Sequence, residues 1–165
     1  MKIVQTLGRA LAWFNLIYWG LSVVTSLLQG LAAGNMAIIV ASVFLAAVPL
    51  NSYASLQLHR SIRNPAVKLN HQTPVGIRFV GSFVVLIGAF LAGVGLLVVV
   101  GAKQIFPMIK ENAVDMPQPF TIKSSGELVE MGAILLFFGS LMLIGAVLNM
   151  RLLRWYYLVK RSDVS

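Results

Sequence analysis

The sequence predicts an all-α fold: an integral membrane four-helix bundle with its N-terminus and C-terminus both cytoplasmic. Three observations lead there. Four apolar runs, 10–28, 36–58, 79–102 and 131–150, are each long enough to cross a bilayer. Hydrophobic residues make up 58% of the 165 residues and charged ones only 11%, where a soluble domain carries about 25% charged. Ten of the 13 lysines and arginines fall on one side of those runs. Hydrocarbon offers a backbone no water to bond, so an apolar run of this length closes its own hydrogen bonds as a helix. A chain this short has room for one membrane domain, 1–165, and none for a second folded body.

The first run follows Lys2 and Arg9 and precedes Gly30-Leu31-Ala32, a combination that resembles a secretory signal with its cleavage site. At about 19 residues the run is longer than a signal core, so it is expected to be a retained first span. Gly8, Asn15, Ser22 and Gln29 recur every seven residues, a small-to-polar stripe expected to face inward. Trp13 suits the inner interface. Tyr18 and Trp19 fall deeper, so their polar hydrogens need partners inside the bundle or in an adjoining subunit, unless the helix is displaced outward.

In the second run Pro49 removes a backbone donor and clashes one turn back, which predicts a bend near 45–49. Asn51, Ser52, Tyr53, Ser55 and Gln57 follow. They read as the amphipathic end of a helix reaching the cytoplasm. The alternative is a polar notch at a helix break, where transporters hold ions or solutes, but no charged partner accompanies it.

The third and fourth runs carry small residues by sevens: Gly81, Gly88, Gly95 and Ala102, with Ala92 one turn from Gly88, and then Gly132, Gly139 and Ala146. Membrane helices associate by close packing rather than hydrophobicity, and small residues permit it. Consecutive spans are antiparallel, so these two stripes are expected to face each other.

Between them lies an outer loop, 103–130, in which Pro107, Pro117 and Pro119 are expected to prevent any long regular element. Ile105, Phe106, Met108 and Ile109 would lie on the membrane surface or against the bundle. Ser124 followed by Glu127 has capping-box spacing, and Glu127 and Glu130 favour the positive end of the next helix. These acids are therefore expected to be caps rather than catalytic groups.

Charge gives the topology. Lys2 and Arg9 precede the first run; Arg60, Arg63, Lys68 and Arg78 lie in the segment 59–78 with no acid; Arg151, Arg154, Lys160 and Arg161 follow the fourth run against Asp163 alone. The other side holds the uncharged turn 29–35 and the loop 103–130, whose three lysines are outweighed by four acids. The positive-inside rule then places both termini in the cytoplasm. Trp155, Tyr156 and Tyr157 among the last basic group read as an interfacial anchor. Arg60, Arg63, Lys68, Arg78, Arg151, Arg154, Lys160 and Arg161 should attract anionic headgroups at about 1 kcal/mol per charge, or dock an acidic partner. The net charge of +8 is thus membrane orientation, not nucleic-acid binding.

Several chemistries lack their residues. No run has Asp, Glu, Lys, Arg or His in its middle, which argues against proton coupling. Cysteine is absent, so disulfides, thiolate metal sites and a catalytic thiol are excluded. His59 and His71, 12 residues apart in the basic segment, read as solvated loop histidines rather than metal or haem ligands. No nucleophile elbow, zinc pair or phosphate-cradling glycine loop occurs. No cofactor, metal or catalytic residue is assigned.

The expected role is therefore a small non-catalytic membrane protein, an accessory, assembly or regulatory subunit of a larger membrane complex. Its partners would be the bilayer and other membrane subunits, and short loops without targeting motifs suit a bacterial inner membrane. The alternative is a homo-oligomeric channel or passive carrier along an uncharged line of Asn15, Ser22, Asn51, Ser52 and Asn149. A third possibility, a lipid-modifying enzyme, would depend on Arg60 or His71.

Overall fold

A computed structural model describes residues 2–64, 66–112, 122 and 124–162. Over them the chain is helical: α1 (Lys2–Ala32), α2 (Met36–Leu45), α3 (Ala47–Arg63), α4 (Gln72–Asn112) and α5 (Ser125–Ser162). Four stretches are long and apolar enough to cross a membrane: Ile3–Ala32, Met36–Arg63, Gln72–Lys110 and Ser125–Leu158. Each contains one of the apolar runs and outreaches it. At about 1.5 Å per residue α4 is about 60 Å long, twice the hydrocarbon thickness of about 30 Å.

The helix ends follow local chemistry. Gly34, at φ +62°, ends α1 in the left-handed region that a glycine adopts without a Cβ penalty. The N–H of Asn35 donates to the Gly30 carbonyl at 2.8 Å and that of Gly34 to Leu31 at 3.2 Å, a Schellman closure. The Asn35 side chain then accepts from Ala37 N at 3.1 Å and Ile38 N at 3.3 Å, capping α2. Between α2 and α3 the helix is interrupted at Ala46, three residues before Pro49, whose missing N–H leaves the Leu45 carbonyl without its intrahelical donor. At the start of α4, Asn70 Oδ1 accepts from Gln72 N at 3.1 Å. Ser124 Oγ accepts from Glu127 N at 3.2 Å, the forward bond of a capping box.

One expectation about the loops needs correction. The outer segment is not irregular from residue 103: α4 continues through Pro107 to Asn112. Pro107 forfeits only the bond to the carbonyl of Lys103, an exposed residue that water can serve, so the helix tolerates it. Ile105, Phe106, Met108 and Ile109 are accordingly on a helix, whereas Pro117 and Pro119 lie outside the described residues. Within the basic segment 59–78, α3 runs on to Arg63 and α4 begins at Gln72.

The chain forms two compact units, Met1–Leu86 with Met142–Ser165, and Ile87–Leu141. In the first, α1 packs on α2 and α3. Leu58, Ile77, Leu152 and Leu153 form a buried cluster, flanked by Val4, Ala54, Ile62, Leu69 and Tyr156. One side chain or more therefore comes from each of α1, α3, α4 and α5. In the second unit the remaining parts of α4 and α5 are antiparallel neighbours in close backbone contact. A methyl at Gly139 would lie 2.5 Å from Ala92 N and 2.8 Å from the Gly88 carbonyl oxygen; one at Gly95 would strike Leu136 N and lie 2.6 Å from the Gly132 oxygen. Residue number rises along one helix as it falls along the other.

Candidate functional site: a buried polar column with a basic end

Along α3 the buried positions are Val48, Asn51, Ser52, Ser55, Leu58, His59 and Ser61. Steps of four residues place Asn51, Ser55 and His59 one above another on a single helical face. The polar face of this stretch turns inward, while Leu50 and Tyr53 are exposed. His59 corrects the expectation of a solvated loop histidine. It is 7% exposed, because α3 does not stop at Leu58 and the next position falls on the inner face. His71 is exposed, as a loop histidine would be.

Two polar side chains of this column, His59 and Asn51, seat against a glycine of a neighbouring helix. A methyl at Gly8 of α1 would lie 3.3 Å from His59 Nε2. One at Gly81 of α4 would lie 3.3 Å from Asn51 Oδ1. Across the unit, one at Gly145 of α5 would lie 3.2 Å from Asn15 Nδ2 of α1. Polar groups thus reach the interior because the opposing helix gives up its side chain. Two hydrogen bonds tie separate elements: Ser55 Oγ to Asn149 Oδ1 at 2.5 Å, and Thr73 Oγ1 to Gln57 Oε1 at 2.7 Å. Ser52 Oγ donates back to the Val48 carbonyl at 2.8 Å, relieving its own burial. Among the described residues the buried atoms Asn15 Oδ1, Asn51 Oδ1 and His59 Nε2 have no hydrogen-bond partner. Burying a polar atom unpaired is unfavourable, so each marks a place where a donor or acceptor from outside the chain would be stabilised.

Of the residues expected to form an uncharged path, Asn15, Asn51, Ser52 and Asn149 are brought into the first unit and buried. Ser22 is not among them; it is half-buried, its hydroxyl donating to the Tyr18 carbonyl at 2.8 Å. The seven-residue stripe on α1 drifts for a geometric reason. A straight helix turns 3.6 residues per turn, so the buried face passes from Gly8, Ala12 and Asn15 to Val23 and Gly30, and leaves Ser22 half-buried and Gln29 exposed. Tyr18 is exposed, stacked on Phe14 with centroids 5.6 Å apart and edge-on to Trp19.

The small residues fall as follows. Gly81, Gly88, Gly95 and Ala102 are all buried along α4, Ala92 is half-buried, and Gly132, Gly139 and Ala146 are buried along α5. Gly88, Ala92, Gly95, Gly132 and Gly139 meet in the second unit; Gly81 instead meets Asn51 and the Met150 methyl in the first. The role of Gly145 was not read from the sequence. It sits one residue from the stripe, and only its opposition to Asn15 reveals it.

Arg60, Arg63, Lys68, Arg78, Arg151 and Arg154 are exposed, as is Arg9, while the side chains of Lys160 and Arg161 lie outside the described residues. Two cavities in the first unit share Arg9, Trp13, His59 and Arg63. One, of about 520 Å³, is completed by Gln5, Thr6, Ala10, Ile62 and Trp155; the other, of about 560 Å³, by Leu16, Tyr53, Leu56, Gln57 and Arg60. Arg78 and Arg154 line a third, of about 510 Å³, with Met150, Leu153, Tyr157 and Leu158. Among the described residues no three His, Cys, Asp or Glu side chains converge as metal ligands would. Comparison with protein-family models, curated proteins and solved structures finds no match to this chain.

Proposed function

We propose that this chain is an integral membrane protein of four spans with both termini in the cytoplasm, serving as an accessory, assembly or regulatory subunit of a larger membrane complex in a bacterial inner membrane. One observation carries the proposal: the polar interior is fitted helix against helix. His59 sits on Gly8, Asn51 on Gly81, Asn15 on Gly145, and Ser55 bonds Asn149. Those groups hold the first unit together, and what they leave outside is large apolar side chains and arginines. Phe14, Ile17, Leu21, Phe79, Leu86, Phe90 and Leu97 are all exposed. Such a surface suits lipid tails and the helices of partner subunits; the arginines suit anionic headgroups or an acidic partner. Orientation is supported by the charge asymmetry: ten of the 13 basic residues fall on one side of the apolar runs, the side that the positive-inside rule would assign to the cytoplasm.

Purification of the tagged chain at native expression in mild detergent or nanodiscs, with mass spectrometry of all that is retained, tests the role. Stoichiometric recovery of other membrane proteins supports it and names the complex. Recovery of a pure homo-oligomer refutes it.

A second reading is favoured by the unpaired atoms of Asn15, Asn51 and His59. A passive carrier for a small polar solute would satisfy them transiently. Asn15, Asn51, Ser52 and Asn149 gather within one chain, so this path would run through the protomer and not between copies. Liposome flux by the isolated chain, lost in Asn15→Leu or Asn51→Leu, would establish that reading in place of the first; absence of flux would dispose of it.

A further inference from the structure

We propose that the paired cavities at the basic end of the first unit form one built site for the phosphate and upper acyl region of an anionic phospholipid. The inference rests on the membrane-spanning reading and is independent of the accessory role. The two cavities share Arg9, Trp13, His59 and Arg63, so they are lobes around the same side chains. Arg60 adds a third guanidinium in the second lobe, while Gln5 and Thr6 add neutral polar groups in the first. No Asp or Glu occurs in the sequence before Glu111, so no acid of α1 or α3 neutralises these arginines. Guanidinium groups bind phosphate through paired, charge-assisted hydrogen bonds. His59, 93% buried by its 7% exposure, forms part of both walls and carries a nitrogen without a partner.

What separates a lipid from a free phosphate is the gradient along the second lobe. On α1 its wall runs Arg9, Trp13, Leu16; on α3 it runs Arg63, Arg60, Gln57, Leu56, Tyr53. At about 1.5 Å per residue these walls pass from charged to apolar over about 10 Å and 15 Å. Both helices change in the same direction, toward the apolar middle of their spans. A phospholipid has that amphiphilic order over that length, with an indole at the headgroup level where tryptophan is stabilised. A soluble phosphate would leave Leu16, Leu56 and Tyr53 without an occupant.

The test uses the full-length chain in a zwitterionic detergent. Native mass spectrometry counts bound phosphatidylglycerol and, separately, phosphatidylcholine, each added at the same molar excess. Wild type is compared with Arg9→Gln and Arg63→Gln, with Lys68→Gln and Arg151→Gln as controls that remove the same charge away from the cavities. Leu16→Trp fills the apolar wall and leaves the charge unchanged. We expect phosphatidylglycerol retention to fall about tenfold in Arg9→Gln and Arg63→Gln. It should fall several-fold in Leu16→Trp and less than twofold in the controls. Equal losses in all four charge variants would overturn the proposal in favour of diffuse surface attraction. Displacement of the lipid by millimolar inorganic phosphate, with Leu16→Trp binding as wild type, would overturn it in favour of a soluble anion. A variant that loses its monodisperse elution is replaced by Arg9→Lys or Arg63→Lys, which keeps the charge and loses the fork; reduced retention supports the proposal and wild-type retention overturns it. Failure of any arm leaves the partner-recovery experiment unaffected, so the two readings fail separately.

Discussion

Gly139→Ala is the smallest change that interrogates the packing of α4 on α5. The added methyl would lie 2.5 Å from Ala92 N, 2.8 Å from the Gly88 oxygen and 3.0 Å from Ala92 Cα. Ordinary contact begins about 3.4 Å away, so the methyl intrudes by about 0.4–0.9 Å, and the atoms it meets are backbone that no rotamer change can move. The helices must separate locally by a comparable distance. A gap of that size forfeits about a quarter to a half of each dispersion contact along the seam, and overpacking of this kind costs about 1–3 kcal/mol. Gly93→Ala provides the internal control. It lies on the same α4 with nothing within 4 Å of its added methyl, and in a helix glycine is less favourable than alanine by about 0.5–1 kcal/mol. Both substitutions share that propensity gain, so Gly139→Ala should be less stable than Gly93→Ala by the overpacking cost, about 1–3 kcal/mol. Reversible unfolding in mixed micelles, followed by far-ultraviolet circular dichroism against rising sodium dodecyl sulfate, measures the difference. Equal midpoints for the two variants would refute close backbone contact at Gly139. Gly88→Leu, which places a larger side chain on the opposite wall, should fail in the same assay if the contact is real.

Three further outcomes follow from the first unit and its turns. A double-mutant cycle on Ser55→Ala and Asn149→Ala should return a coupling of about 0.6 kcal/mol, the average for hydrogen bonds between membrane helices, and no more than about 1.7; additivity would mean the bond is not made. Gly34→Ala should destabilise by about 1–2 kcal/mol because its backbone is left-handed, whereas Gly20→Ala, with open space around it, should be neutral or stabilising in the same titration. Asn35→Ala removes the acceptor for two α2 amides and should cost about 1 kcal/mol; Asn35→Ser should restore most of that loss.

Much of the helical architecture was legible because its cause is local. An apolar run of some 20 residues dictates a helix whatever surrounds it, and the capping-box spacing at Ser124 marks an end that the structure uses. The small-residue pattern on α4 was legible for a similar reason: Gly81, Gly88, Gly95 and Ala102 are all buried. What each of them meets was not. Gly81 faces Asn51 while Gly95 faces another backbone, and spacing alone does not distinguish those neighbours. Helix lengths escaped as well, since hydropathy reports where lipid is tolerated and not where hydrogen bonding stops; hence Pro107 lies inside α4. The inward turn of His59 and Asn51 depends on the glycines opposite, Gly8 and Gly81, and that of Ser55 on Asn149, all of which sit tens of residues away in the sequence. A polar stretch after a proline looks the same whether it faces water or a bundle interior.

The most direct test of the central proposal, four spans with the basic segments in the cytoplasm, exploits the absence of cysteine from the chain. Single cysteines are introduced at Ala33, in the turn between α1 and α2, and at Ala66, between α3 and α4; both positions are exposed. Intact bacterial cells expressing each variant are treated with a membrane-impermeant maleimide before and after permeabilisation. We expect Ala33→Cys to label in intact cells and Ala66→Cys to label only once the membrane is opened. The reverse pattern, or labelling of both in intact cells, would contradict the topology and with it the cytoplasmic placement of the arginine-lined site.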